Sequence, residues 1–434
     1  MSAQAGTGRS RPHILALDII RTLIVALVIG VHTLTIAAGD ITEPLGAFVT
    51  VLHTSRALFF LLTAFVLTYN YGDRRQLRRM AFWCQRLRFV IPAYVIWTLI
   101  YFLADGERLD PVSSALAAFG RDLLSGDARY QLYFLLVTMQ VYLAFPLLRW
   151  LLQRTARHHL ALLLAAGAYE LALTCAIQHD AVTTGLIGQW FRNPDPLLPS
   201  YLFYVIAGAI AGWHLDRFAA FTRRHLTAAR MTFLAGLLAG VGTYFAEVCF
   251  GGRDPAAASA VFQPVVVVES VTLAWALFAA GLIWADAGAR HRRLVSAGAD
   301  SSFGIYLVHP LVLQGAVALA GATGILAAIR GAQAAAQLAA FLVVGVPLIY
   351  GVSWALTFLT RGTPLSMVLT GRQRKAGAGK AATKPVTRQA DLALPAALRR
   401  DLCQVRGLDR LVRLVNPVAV LSRARGSPSP SITA

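Results

Sequence analysis

The sequence is poor in charged residues. Only 14% of its 434 residues are Asp, Glu, Lys or Arg, 57% are hydrophobic, and the mean hydropathy is +0.59. Soluble proteins carry about 25% charged and about 45–50% apolar residues, so this composition excludes a soluble globular protein. The apolar runs approach twenty residues and do not alternate, which excludes a membrane β-barrel. They predict an all-α, polytopic membrane protein.

Acidic residues are scarcer than basic ones. The chain has 21 Asp and Glu against 40 Lys and Arg, a formal net charge of +19. The aromatic residues lie inside the apolar runs and are not interleaved with a basic patch, as binding of single-stranded nucleic acid would require. Cytoplasmic loops and contacts with anionic headgroups account for the excess of arginine. We therefore expect a lipid bilayer as partner and no nucleic acid.

Cysteine is scarce as well. The four cysteines (Cys84, Cys175, Cys249 and Cys403) form no CxxC pair and no metal-ligand spacing, so we expect no metal site. Cys175 and Cys249 fall near the outer ends of their apolar runs, which leaves a disulfide open. Packing as small apolar residues within helices is the favoured interpretation.

Ten apolar runs are long enough to be membrane-spanning helices. They cover residues 14–38, 46–70, 82–104, 130–151, 158–177, 197–214, 229–249, 262–286, 301–322 and 334–359. Arginines precede the first run and concentrate in every second loop after it, while the alternate loops hold few. By the positive-inside rule, this asymmetry predicts that both termini are cytoplasmic.

The chain is accordingly divided into a short N-terminal segment (residues 1–13), a ten-helix membrane domain (14–360) and a basic cytoplasmic tail (361–434). Residues 375–387 are rich in Gly, Ala and Lys, which is typical of a flexible linker. Residues 392–415 have leucines at helical spacing with arginines between them. That pattern predicts an amphipathic helix on the anionic inner leaflet, with a soluble protein partner as the alternative.

The first apolar run carries an arginine and a histidine. Arg21 and His32 are eleven positions apart, which at ~100° per residue places them on one stripe of a helix, about 16 Å apart along its axis. An arginine inside a membrane helix costs a few kcal/mol even on lenient scales, so it marks a candidate functional site.

The second run adds His53 and Arg56, which share a helix face. Depths estimated at ~1.5 Å per residue place both near the level of His32, and Glu269 at a comparable level in the eighth run. We expect these side chains to line one cavity. Imidazole is the usual general base for a hydroxyl, whereas arginine suits phosphate, carboxylate or a developing oxyanion. Interhelical hydrogen bonding is the alternative role for any one of these histidines.

Two further segments contain candidate binding residues. Arg86 and Arg88 lie at the inner end of the third run, where they serve either as a topology signal or as a site for an anionic donor. Tyr306 and His309 lie one turn apart in the ninth run and are followed by Pro310, which is expected to kink the helix.

Taken together, these segments resemble the acyltransferase-3 family of integral membrane acyltransferases. The resemblance rests on Leu17-Asp18 leading to Arg21 and His32 (the arginine–x10–histidine signature), the FF…SGF-like residues 59–65, Pro92-Ala93-Tyr94 after basic residues, the YxLWFL-like residues 130–135, and the IYLxHP-like residues 305–310. The usual Ser-Gly reads Thr63-Ala64, and the arginine pair separated by two residues reads Gln85 and Arg88, with Arg86 as the substitute.

The resemblance implies transfer of an acyl group, commonly acetyl from acetyl-CoA, to a hydroxyl of a glycan, a lipid-linked sugar or a secondary metabolite. It implies His32 as catalytic base, Arg21 as its partner, acyl-CoA as co-substrate with no bound cofactor, and a bacterial inner (plasma) membrane location. A transporter or flippase for a lipid-linked saccharide is the main alternative, although the sequence lacks the internal repeat typical of such proteins. A non-catalytic membrane scaffold is a third.

Overall fold

The computed structural model describes residues 11–72, 77–105 and 112–373. Every regular element in these ranges is helical, which confirms the all-α prediction. The elements in chain order are α1 (Ala16–Ala37), α2 (Glu43–Leu52), α3 (Ser55–Tyr71), α4 (Arg79–Ala104), α5 (Val112–Ser125), α6 (Tyr133–Arg154), α7 (His159–Gln178), α8 (Gly185–Arg192), a 3₁₀ turn (Leu198–Tyr201), α9 (Leu202–Trp213), α10 (Leu215–Arg224), α11 (Leu226–Cys249), α12 (Pro255–Ala258), α13 (Pro264–Asp286), α14 (Arg292–Ala322), α15 (Ile325–Arg330), α16 (Ala334–Leu338), a π-helical segment (Ala339–Gly345), α17 (Val346–Thr360) and α18 (Ser366–Thr370).

Among the described residues, nine helical segments are long and apolar enough to cross a membrane. A tenth is added if the pair formed by Leu198–Trp213 and Leu215–Arg224, bent by 91°, is counted as one span. The prediction of about ten membrane-spanning helices is therefore confirmed. The cytoplasmic location of the termini stays a prediction.

The chain divides into two units. Residues 1–77 and 86–377 belong to the first, and residues 78–85 with 378–434 belong to the second. Of the second unit the structure describes residues 78–85, which include the first turns of α4. The predicted linker and amphipathic helix of the tail, and Cys403, lie outside the described residues.

Helix α1 lies at the centre of the first unit, in contact with α2, α3, α13, α14 and α17. It is apolar around most of its circumference, and Ile24, Ile29 and Leu34 are almost completely buried. A helix that is hydrophobic all round is expected to be enclosed by others. The polar residues that α1 carries are consequently presented to neighbouring helices.

The second apolar run is a broken helix. Helix α2 ends at Leu52 and α3 begins at Ser55, with His53 and Thr54 between them. The Thr54 hydroxyl donates to the Val51 carbonyl at 2.7 Å, which satisfies one of the groups left without a helical partner. His53 and Thr54 keep right-handed helical backbone angles, and Glu43–Tyr71 is long and apolar enough to be one span. The interruption is therefore a local turn within one span, and His53 lies at this turn.

Close helix packing depends on small residues. A Cβ at Gly208 of α9 would collide with the backbone of Leu61 in α3, and one at Gly240 of α11 would collide with the carboxylate of Glu269 in α13. Small residues allow the close backbone approach on which membrane helix association depends. The approach of α9 fixes α3, the helix that carries Arg56.

The two cysteines for which the sequence left a disulfide open are not bonded to each other. Cys175 on α7 and Cys249 at the end of α11 are both free and exposed on their helices.

Candidate active site

Side chains from α1, α3, α6 and α14 line a cavity of about 390 Å³, together with His53 before α3 and Tyr130 and Gln131 before α6. Its walls are formed by Val28, Val31, His32, Thr35, Ile36, His53, Ser55, Arg56, Phe59, Tyr130, Gln131, Tyr133, Phe134 and Tyr306. Four of the predicted site residues are thus brought together: His32, His53, Arg56 and Tyr306. A cavity of this size with apolar walls and a few convergent polar groups is typical of a small-molecule site.

His32 has two ring neighbours in this cavity region. Its ring centroid lies 4.1 Å from that of Tyr130 and 5.6 Å from that of His309. His309 is fully buried, and its Nδ1 lies 2.7 Å from the Tyr306 carbonyl oxygen. Because a carbonyl oxygen only accepts, Nδ1 donates and Nε2 of the neutral ring is an acceptor. Within the described part of the chain, that Nε2 has no hydrogen-bond partner.

His53 is oriented by the same kind of contact. Its Nδ1 lies 2.8 Å from the carbonyl oxygen of Ser259, so Nδ1 donates and Nε2 is the acceptor in the neutral ring. Ser259 follows the short helix α12 and is itself buried. The loop after α12 therefore fixes the tautomer of an imidazole that lines the cavity.

Arg56 is held by an acidic residue from a distant loop. Its guanidinium forms an ion pair with the carboxylate of Asp195 and lies 5.3 Å from the ring centre of Tyr133. The Tyr201 hydroxyl donates to the Asp195 backbone carbonyl at 3.2 Å and to its carboxylate at 3.4 Å. A guanidinium carries five donors in a fixed plane, so pairing on one edge leaves other donors for the cavity.

Gln131 and Tyr130 contribute polar groups without partners. Both polar atoms of the Gln131 amide are buried, as is the Tyr130 hydroxyl, and none of the three forms a hydrogen bond within the described residues. The Gln131 backbone is fixed, because its carbonyl accepts a bond from the Tyr306 hydroxyl at 2.7 Å. Leaving such groups unpaired is costly. These buried polar groups lie in the two residues that form the cavity wall before α6.

Glu269 lies elsewhere. It is buried on α13, where its carboxylate packs against Gly240 of α11, and it is not among the residues that line the cavity. Neither carboxylate oxygen has a hydrogen-bond partner among the described residues. Its depth suggested a place beside His32, but the rotation of α13 turns it towards a different interface.

Arg21 and Arg86 both lie near Tyr142, away from the cavity. Arg86 donates to the hydroxyl of Tyr71 at 3.1 Å, and Tyr142 interacts electrostatically with both Arg86 and Arg21. Neither arginine lines the cavity around His32. Arg21 lies in the second turn of α1 and His32 near its other end, so the two predicted catalytic residues belong to different groups on one helix.

Arg88 stacks on its neighbour instead. Its guanidinium carbon lies 4.6 Å from the ring centre of Phe89. Like Arg86, it has a buried Nε without a partner among the described residues. Both residues lie in α4, as the sequence predicted for the third span.

In the described ranges 11–72, 77–105 and 112–373, no three His, Cys, Asp or Glu side chains come close enough to hold an ion. The polar groups that line the cavity are imidazoles, a guanidinium, phenols, an amide and the hydroxyls of Thr35 and Ser55, which suit acid–base chemistry and hydrogen bonding.

The family model of the acyltransferase domain, acyltransferase-3, matches residues 14–358, which is most of the chain. The protein belongs to the acyltransferase-3 family. Its multi-pass helical structure and this membership identify a membrane acyltransferase. Comparison with curated proteins and with solved structures gave no match.

The acyltransferase-3 match spans every residue that lines the cavity, including some that the site prediction omitted. Tyr130, Gln131 and Tyr133 fall in the YxLWFL-like run, whose sequence supports the resemblance but indicates no role for these side chains. Asp195 has no motif near it and lies 139 residues from Arg56. Its position is visible only in the folded chain.

Proposed function

We propose that this membrane acyltransferase transfers an acyl group, first of all acetyl, from acyl-CoA to a hydroxyl group of a glycan, a lipid-linked sugar or a secondary metabolite at a bacterial plasma membrane. The proposal is carried by the cavity that His32 and Arg56 both line, where the ring of His32 lies beside those of Tyr130 and His309. A histidine in a cavity with apolar walls and a few convergent polar groups suits activation of a hydroxyl.

In the proposed reaction, His32 accepts the proton of the acceptor hydroxyl. The hydroxyl oxygen attacks the thioester carbonyl carbon, the carbon–sulfur bond breaks, and the CoA thiolate takes the proton from the imidazolium. Atoms and charge balance without a further reactant. Arg56 supplies donors for the charge that develops on the carbonyl oxygen, and its contact with Asp195 keeps the guanidinium in a fixed plane.

Acceptor binding is assigned to the remaining polar groups of the cavity region: His53, Tyr306, His309 and the amide of Gln131. His53 and His309 each present an acceptor nitrogen, since carbonyl contacts occupy their Nδ1 atoms. Donor binding is assigned to Arg21, Arg86 and Arg88, because guanidinium groups form charge-assisted hydrogen bonds with phosphate.

The decisive experiment measures acetyl-CoA consumption by the purified protein in lipid. The matched variants are His32→Ala and His225→Ala, because His225 is an exposed histidine that contacts the Phe221 carbonyl. We expect His32→Ala to lose at least about 100-fold in turnover while still binding CoA, and His225→Ala to keep it. Equal activity in the wild type and His32→Ala would disprove the role of His32 as catalytic base. Absence of acetyl-CoA consumption by the wild type would disprove acetyl-CoA as the donor.

A further inference from the structure

Two arginines lie after the last membrane-spanning helix, beyond the residues that the family model matches. Arg361 follows α17 directly, and Arg372 follows α18. Neither belongs to a motif of the resemblance. Both nevertheless interact with residues near Arg21 in the first helix.

The segment that carries Arg372 has a defined position. The Leu369 carbonyl accepts a bond from the Trp97 indole at 3.1 Å, and the Arg372 carbonyl accepts one from the Ser366 hydroxyl at 2.9 Å. Gly371 has a φ of +61° and packs so closely on Phe303 that a Cβ would lie 2.5 Å from that ring. Glycine has no Cβ and adopts a left-handed φ without steric cost. Gly371 therefore permits this turn, and the turn sets the direction of Arg372.

Positive charge is in excess where these residues meet. Arg372 forms a 3.2 Å ion pair with Asp300, and the same carboxylate interacts electrostatically with Arg361 and Arg21. Arg21 also interacts with Asp18, whose carboxylate accepts bonds from Ser296 and His13 at 2.8 Å each.

Tyr142 interacts electrostatically with both Arg86 and Arg21. With Arg86 included, the group contains four guanidiniums and two carboxylates. We call it the arginine cluster: Arg21, Arg86, Arg361 and Arg372 with Asp18 and Asp300. Its formal charge of two positive units is what a phosphate ligand would neutralise.

Burial makes this excess significant. Arg361 is only 7% exposed, and its Nε has no hydrogen-bond partner within the described residues. A buried cation with an open donor is unfavourable unless an anion binds to it. By contrast, the side chains of Asp300 and Arg372 are 53% and 37% exposed. An ion pair this exposed contributes little stability, so an incoming anion can replace its carboxylate.

We propose that Arg361 and Arg372, together with Arg21, bind a phosphate group of the acyl donor, and that Asp300 occupies this site when the donor is absent. The inference rests on the proposed function, since it takes acyl-CoA as the donor. It adds two residues from outside the matched domain to the proposed donor site. In this site the carboxylate of Asp300 competes with the phosphate for the arginines.

The test is CoA binding by calorimetry in phosphatidylcholine nanodiscs, which carry no net charge. We expect Arg361→Gln and Arg372→Gln to weaken binding about tenfold, in line with loss of a charge-assisted hydrogen bond. Asp300→Asn is expected to tighten it about threefold. A damaged fold does not raise affinity, so this gain separates a binding role from a structural one. The matched controls are Arg223→Gln and Asp286→Asn, which alter an exposed ion pair of the same kind and should change nothing.

Truncated ligands identify the phosphate. If the effect of Arg361→Gln persists with 3′-dephospho-CoA, the cluster binds the diphosphate, and if it disappears, the cluster binds the 3′-phosphate. Pantetheine, which has no phosphate, should bind wild type and variant equally. Unchanged CoA affinity in Arg361→Gln, Arg372→Gln and Asp300→Asn would overturn the inference.

Inorganic pyrophosphate separates this inference from the proposed function. Thermal stabilisation by pyrophosphate that depends on Arg361, without any binding of CoA, would support the anion site and disprove acyl-CoA as donor. Absence of both pyrophosphate and CoA binding would overturn the two proposals together.

Discussion

The cavity around His32 and the arginine cluster around Arg21 lie along the same helix but differ in how they manage charge. Among the residues lining the cavity, Arg56 is the one with a permanent charge, and Asp195 balances it. In the cluster four arginines face two carboxylates, and one of these carboxylates is largely exposed. A balanced, enclosed site suits proton transfer to neutral groups, whereas an unbalanced one suits a ligand that brings its own negative charge.

The largest effect is expected when the charge of Arg56 is removed from the cavity. Arg56→Gln is expected to lower turnover about 100-fold, because a donor to the reacting carbonyl is lost, and to lower the melting temperature, because Asp195 loses its partner. The double variant Arg56→Gln/Asp195→Asn should recover the melting temperature but not the turnover. Recovery of both would show that the pair is structural only.

A smaller effect is expected in the cluster. Arg86→Gln should raise KM for acetyl-CoA about tenfold and change kcat little, because it removes donor binding and leaves the reacting groups intact. The wild-type KM should rise with salt, since exposed charges are screened. Steady-state kinetics at two ionic strengths checks both, with Arg223→Gln as control. A fall in kcat with unchanged KM would place Arg86 with the reacting groups.

The smallest effect is expected for Glu269. Glu269→Gln should change turnover by less than about twofold, because the carboxylate packs on Gly240 and does not line the cavity. The comparison for this variant is His53→Gln, which alters a lining residue and should cost more. A loss in Glu269→Gln as large as that in His53→Gln would bring Glu269 back into the site.

Much of the fold followed from hydropathy, since runs near twenty apolar residues leave a membrane chain little choice but helices. The interruption at His53 and Thr54 and the bend after Trp213 did not. The interruption lies inside an apolar run and the bend lies at the end of one, and hydropathy carries no information about backbone geometry at either place.

The candidate site was predictable in part for the same reason. Depth along a helix follows from residue number, so His32, His53 and Arg56 were expected at one level and do line one cavity. Helix rotation does not follow from depth, which is why Glu269 faces another interface. Asp195 lies in a loop that meets Arg56 only after folding, so no local pattern pointed to it.

The continuity of α1 sets the length that the proposed donor needs. The helix runs unbroken from Ala16 to Ala37 and carries Arg21 and His32 eleven residues apart, about 16 Å at 1.5 Å per residue. A molecule whose charged end is bound beside Arg21 reaches His32 only if a narrow linker of about this length joins that end to the reactive carbon. Acyl-CoA has such a linker, and acetyl phosphate, in which the two ends are adjacent, does not.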